Sequence, residues 1–242
     1  MARVQRPEDA SPFEAADGVE RRLLVEPERG SELALDTLLL TAGTSVDLTD
    51  PVHDTLLFAA TGEGELAGGP LGTPSAGLLA TGAAATLAAG DAGLFCIRAT
   101  LGAATDLHAP MGRAEPVVAL DEVEAGAATG ARSFQVLNGP HNGSTRATMF
   151  VGYIPPGKAP WHYHLYDEIV WVLRGKGRLH LGDEVEALVP GVAFRLRPRE
   201  VHIVENTDPS EELAVVGIFT PAGSPSAAYL MPDVAASYVI AG

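Results

Sequence analysis

The chain has 242 residues, 46% of them hydrophobic, with Gly 27, Pro 18 and a formal charge of −15. That length buries one large β domain or two small ones. The acidity repels phosphate backbones and anionic bilayers, so nucleic acid and membrane are excluded as expected partners.

In chain order, residues 1–18 are polar and acidic and lack the apolar core of a signal peptide, so a flexible N-terminal arm on a cytoplasmic protein is expected. Residues 19–103 form a first β unit. Its Ala-rich run, residues 76–90, is broken by Thr81 and Gly82 and is too weakly apolar to span a bilayer. The single cysteine, Cys96, rules out an intrachain disulfide, and its apolar neighbours Leu94, Phe95 and Ile97 predict a buried, inert thiol. Residues 104–130 are small and turn-rich and are expected to be a linker, with at most a short helix over 121–125 ended by Gly126. Residues 131–222 form a second β unit. In the tail, residues 223–242, Tyr229, Leu230, Tyr238, Val239 and Ile240 are too apolar for free chain and are expected to pack on the barrel.

The two units repeat at a spacing of about 113 residues. Gly30-Ser31 matches Gly143-Ser144, Asp54 matches Asp167, Gly62 matches Gly175 and Gly64 matches Gly177. After a small shift in frame, Gly82 matches Gly191 and Leu87 matches Leu196. In the second copy strands are predicted at 149–154, 168–173, 178–181, 193–196, 202–204 and 213–219. Turn chemistry separates them: Pro-Pro-Gly, Gly-Lys-Gly, Gly-Asp, Val-Pro-Gly and Asp-Pro-Ser.

Within that copy, His162 and His164 are two residues apart, so on a strand both project from one face. A short turn then delivers Glu168 at the head of the next strand, with Val170 and Val172 on its side. His202 re-enters the same cavity as a third imidazole. Three nitrogens and one carboxylate suit a first-row metal ion and leave coordination positions open. The lack of a cysteine ligand argues against a finger-type structural zinc.

These residues resemble the cupin superfamily, and the repeat makes the chain look like a bicupin. The family pattern G-x5-H-x-H-x3-4-E-x6-G is met by His162, His164, Glu168 and Gly175, with Gly157 one residue close. The second pattern, G-x5-P-x-G-x2-H-x3-N, is met by Gly191, His202 and Asn206, but its P-x-G centre is Arg197-Pro198-Arg199 here. The resemblance implies two tandem jelly-roll barrels and one divalent metal per chain: iron, manganese, nickel, zinc or copper.

The first copy has lost this set. Thr49 and Pro51 stand about where His162 and His164 do, Thr55 replaces Glu168, Gly93 replaces His202, and His53 falls opposite Tyr166. His108, His141 and His180 are given no role. Around the ligands, Tyr163, Tyr166, Asp167, Trp171, Arg195 and Arg197 are the candidate supporting side chains. Asp167 is the candidate partner of a ligand imidazole, Tyr163 and Tyr166 are the candidate catalytic groups, and Trp171 is expected to be plain packing.

Open metal positions imply three function classes: an oxidoreductase of the dioxygenase type, a non-oxidative isomerase, lyase or hydrolase, and a non-catalytic binding protein. A metal-dependent enzyme acting on a small, anionic organic substrate, as a monomer or homodimer, is the leading expectation.

Overall fold

The computed structural model describes residues 4–102, 108–128 and 131–230. Among them the regular structure is β-strand, interrupted only by 3-10 turns at Pro7–Asp9, Leu120–Glu122 and Pro140–Asn142. The expectation of an all-β chain of two jelly-roll units is borne out. No helix among the described residues is long and apolar enough to cross a membrane.

The first unit is a nine-stranded sheet whose centre is formed by Ala34–Leu40, Asp54–Leu66 and Thr86–Leu101. The last two pair along most of their length, with register shifts between Ala59 and Thr61 and between Gly62 and Gly64. Such bulges bend a sheet, and its inner face closes over Leu38, Leu57, Leu66, Leu87, Leu94 and Cys96. Burial there pushes the Cys96 thiol up to about 12, as an inert cysteine requires.

The second unit pairs a seven-stranded sheet with a six-stranded one. Thr148–Ile154, Leu213–Thr220 and Asp167–Arg174 lie side by side in the larger sheet. Their period of two sends Val170, Val172 and Val215 into the barrel, and Met149, Val151, Ile169, Trp171 and Ile218 outward. On an isolated barrel the outward set would face water. Here it joins Leu35, Leu56, Phe58 and Ile97 of the first unit in one buried cluster. The sheet is covered on both faces, so its strands are apolar at nearly every position instead of alternating.

The sequence repeat is also a geometric one. Gly62 and Gly175 both take left-handed backbone, with φ of 89° and 87°. A Cβ on Gly64 would lie 2.2 Å from the Ala88 carbonyl oxygen, and one on Gly177 2.2 Å from that of Glu205. Each glycine is therefore fixed by a backbone that leaves no room for a side chain. This equivalence corrects part of the sequence frame. With Ala88 matching Glu205, the place of His202 is taken by Ala85, not Gly93. Thr55 pairs with Leu79 as Glu168 pairs with Leu196, so Thr55 does replace Glu168, and Leu79 rather than Leu87 matches Leu196. Leu48 donates its amide to Ala85 O, 2.9 Å away, as His162 stands opposite His202, so Leu48 rather than Thr49 fills the first ligand position. Leu48 and Ala85 belong to the first unit's apolar core, which occupies the space of a metal site.

Three boundary expectations need revision. Residues 4–16 are not a loose arm: Val4 pairs with Phe194 on the second unit, and Pro12–Ala16 pairs with Val19–Val25. The linker carries Val117–Ala119, which adds a strand to the first unit against Ser75–Leu79, and Gly126–Ala127, which adds one to the second against Ser133–Asn138. In place of a helix over 121–125 there is the single 3-10 turn at Leu120–Glu122. In the tail, Tyr229–Leu230 pairs with His162–Tyr163, while Tyr238, Val239 and Ile240 lie outside the described residues.

Candidate metal centre

Two strands, His162–Tyr163 and His202–Asn206, and the turn after the first of them bring the imidazoles together. His162 stands directly opposite His202 in the smaller sheet. His164 follows two residues on, and the His162, His164 and His202 ring centroids lie 4.4–5.2 Å apart. All three are buried, and each presents one ligand atom within 4.8 Å of the others. His162 holds Pro160 O at 2.9 Å through Nδ1, and His202 holds Glu200 O at 2.8 Å through Nδ1. A carbonyl oxygen only accepts, so both Nδ1 atoms carry the proton and both Nε2 atoms keep a lone pair for a metal.

Glu168 opens the strand Asp167–Arg174 and is 3% exposed. Its Oε2 lies 3.1 Å from His164 Nδ1, and the carboxylate sits at the edge of the three-imidazole cluster. Its Oε1 would be 2.8 Å from a Cβ on Gly217, a position where a side chain would press on the site.

Burial drops the His162 imidazole to about 4, helped by the charges of His164 and Arg132 and opposed by its bond to Pro160 O. Burial likewise holds His202 well below the usual imidazole range, with His162, His164 and Arg132 adding to the effect. Both rings are therefore neutral at physiological pH, the state a metal ligand requires. Neutral imidazoles whose lone pairs meet in a buried site have no proton to share, and a divalent cation is the partner that satisfies them together. The residues present fit such an ion.

Of the supporting groups, Tyr166 lies beside the imidazoles. Its ring stacks on His164 at 4.5 Å and on Phe219 at 4.0 Å. Burial, and then the charge of Glu168, push its phenol well above the usual range. Tyr163 is not at the centre: it stacks on Tyr229 at 5.5 Å and does not line the cavity, because it alternates with His162 and His164. Trp171 packs against Phe95 and donates its indole N–H to Gly191 O, as plain packing predicts.

Asp167, Arg195 and Arg197 turn away from the imidazoles. Asp167 accepts a short bond from Ser31 Oγ and faces Arg195 Nε at 3.4 Å, while burial raises its carboxyl. Arg195 also donates to the Leu33 and Glu26 carbonyls, and Arg197 forks onto Glu28 at 2.6 and 2.7 Å. All four partners belong to the first unit. The backbone carbonyls of Pro160 and Glu200 do the orienting that had been assigned to Asp167.

Arg199 stands where the family pattern has glycine. It takes left-handed backbone, φ 65°, and its amide reaches His164 O at 2.6 Å. That conformation is why glycine is usual there. Asn206 is buried and structural, donating to Ile154 O and Glu211 O at 2.8 Å each. His180 pairs with Glu205 at 2.7 Å away from the cavity, and His53 with Asp50 at 2.9 Å.

The imidazoles, Tyr166 and Glu168 line a cavity of about 110 Å³ with Phe134, Phe150, Val170, Leu230 and Arg132. Arg132 and the two phenylalanines were not singled out in the sequence. Arg132 lies just before Ser133–Asn138, a strand not predicted from the sequence, and its parity with Phe134 and with Phe150 across the ladder is the signal that could have found it.

Residues 149–219 match the family model described as a cupin domain. No curated protein matches the chain. The structure resembles the oxalate decarboxylase of Lactobacillus farciminis in a formate complex, with TM-score 0.78 at 11% identity over 99% of this chain and 91% of that one. It also resembles a point variant of Bacillus subtilis oxalate decarboxylase, TM-score 0.75 at 14% identity, and that enzyme as studied for its Mn(II) centres, TM-score 0.77 at 13% identity. Both cover 98% of this chain and 81% of theirs. Likeness at this identity shows the fold.

Proposed function

We propose that the chain is a bicupin with one metal centre, held by His162, His164, His202 and Glu168, and that it is an enzyme acting on a small organic anion. The observation that carries this reading is the cluster of three buried imidazoles at the wall of a cavity that also holds a guanidinium, Arg132, and an un-ionised phenol, Tyr166. A bound divalent ion would supply Lewis-acid polarisation or, if redox-active, electrons for dioxygen chemistry.

The chain's own residues provide the rest. Pro160 O and Glu200 O fix the imidazole orientations. Tyr166 keeps its proton, held by burial and by Glu168, and can donate it at Oη to a substrate oxygen. The apolar lining keeps water from the reacting atoms and admits dioxygen, which supports an oxidative reaction of the dioxygenase type. A non-oxidative carbon–carbon lyase is the second reading, and the decarboxylase folds it resembles favour it.

Elemental analysis of protein purified without chelators, with oxygen uptake and carbon dioxide release measured on a panel of organic acids, separates the readings. Oxygen consumed in step with substrate supports the first, and carbon dioxide without oxygen uptake the second. Absence of any bound transition metal would overturn both. Tyr166→Phe should lower turnover about 10²-fold and keep the metal.

A further inference from the structure

The cavity's lining speaks to the kind of molecule it takes. Across the larger sheet Val170 pairs with Gly217, which pairs with Phe150, one step along the inward face from Glu168. The next inward step pairs Gly152 with Val215 and with Phe134. Gly217 and Gly152 leave room for the Phe150 ring, which a Cβ on either would meet at 2.3 and 3.2 Å respectively. Phe134 meets Phe150 edge-on at 6.4 Å, and Phe150 meets Phe219 at 6.0 Å. An aromatic wall therefore runs from Phe134 through Phe150 and Phe219 to Tyr166 and the ligand His164. Phe134 and Phe150 are only half-buried, and both line the cavity. Pro225 and Leu230 from the C-terminal segment line it too, and that segment is held by pairing of Leu230 with His162.

The polar side of the cavity is small. Glu168 is its carboxylate. Its guanidinium is Arg132, which donates to Val204 O at 3.2 Å and places positive charge near His162 and His202. Among the described lining residues Arg132 is the single guanidinium or amine, and Ser133 and Ser226 add only neutral hydroxyls, so a second carboxylate would lose its water with no second charge to replace it.

We infer that the ligand is a monoanionic carboxylate with an apolar, ring-sized body, its carboxylate at Arg132 and the imidazole cluster and its body against Phe134, Phe150 and Leu230. This deepens the reading of the cavity as a substrate site and rests on it. It sets this chain apart from enzymes whose substrate is a small dicarboxylate.

The test is calorimetric titration of the full chain with benzoate, acetate, oxalate and benzyl alcohol, on Zn(II)-loaded and on chelator-treated protein. Benzoate should bind at least about tenfold tighter than acetate and oxalate, because the ring removes apolar surface from water. Phe134→Ala should reduce benzoate affinity about tenfold and leave acetate unchanged. Phe150→Leu repeats the test should the first variant fail to fold. Arg132→Gln should weaken benzoate but not benzyl alcohol. Oxalate binding as tightly as benzoate, or benzoate affinity indifferent to both phenylalanine variants, would overturn the inference. Zinc content of the loaded samples reports separately on the metal centre: a chain that takes up no zinc yet ranks the ligands as expected keeps the apolar-anion site and loses the metalloenzyme.

Discussion

Arg195 offers the sharpest test of how the two units are joined. Its side chain is 6% exposed and reaches four groups: the carbonyls of Leu33 and Glu26, the Asp167 carboxylate at 3.4 Å and the Glu28 carboxylate at 3.7 Å. Arg195→Met keeps most of the volume and removes the guanidinium. Two carbonyls lose a donor, at about 1 kcal/mol each. Asp167, 7% exposed, keeps only Ser31, and removing one partner of a buried ion pair costs about 3–5 kcal/mol. These terms overlap, because both describe the same lost bonds, so the expected loss is about 3–5 kcal/mol in total. For a chain of this size that lowers Tm by about 10 °C. Urea unfolding followed by tryptophan fluorescence measures it, since Trp171 lies in the cluster between the units. Adding Asp167→Asn to the variant removes the orphaned charge and should restore at least about 1 kcal/mol. A loss below about 1 kcal/mol for Arg195→Met, or no recovery in the double variant, would show that the ion cluster does not hold the units together.

Gly217→Ala should destabilise by about 1–3 kcal/mol through overpacking on Phe150 and should also weaken metal binding through Glu168; melting temperature and metal content of one preparation check both. Arg199→Gly should stabilise by about 1 kcal/mol, since it relieves a left-handed φ of 65° and keeps the amide bond to His164 O; a lower urea midpoint would contradict that. Elemental analysis should return one ion per chain, because Leu48, Thr55 and Ala85 fill the corresponding space in the first unit, and His202→Ala should abolish it without unfolding the chelated protein. The bond from Arg197 lowers the Glu28 carboxyl, so this pair's stabilisation is present above the ordinary carboxylate value of 4.5 and is lost as pH falls through the folded one. Glu28→Gln should therefore cost no more than about 1 kcal/mol at pH 7, the pair being half-exposed, and less below pH 4.

The imidazole cluster was legible because two periodicities agree on it: alternation puts His162 and His164 on one side, and the glycine repeat fixes the hairpin that returns His202. Glu168 was legible through its parity with Val170 and Val172. What lay hidden were groups whose placement depends on contacts between units. Asp167 is adjacent in sequence to Glu168, yet Ser31 and Arg195 draw it the other way. Arg197 looks like a guanidinium for the site until Glu28 is seen opposite it. In the first unit the frame slipped after Gly64, because the stretch from Gly64 to Leu79 is shorter than its counterpart from Gly177 to Leu196. Arg132 was less legible because the strand that follows it, Ser133–Asn138, carries Ser133, Gln135 and Asn138 among its apolar residues.

The pairing of Val4 with Phe194 bears on how the chain reaches its native state. Contacts this distant in sequence are formed late and at high entropic expense in ordered topologies. During synthesis the first unit emerges with Leu35, Leu56, Phe58 and Ile97 turned toward a partner that does not yet exist. Until the strands Asp167–Arg174 and Leu213–Thr220 are made, that face is sticky and the segment around Val4 has no edge to join. Completion of the shared core and of the closing N-terminal strand therefore waits for the second half of the chain, and the half-made chain exposes the apolar face that the finished one buries.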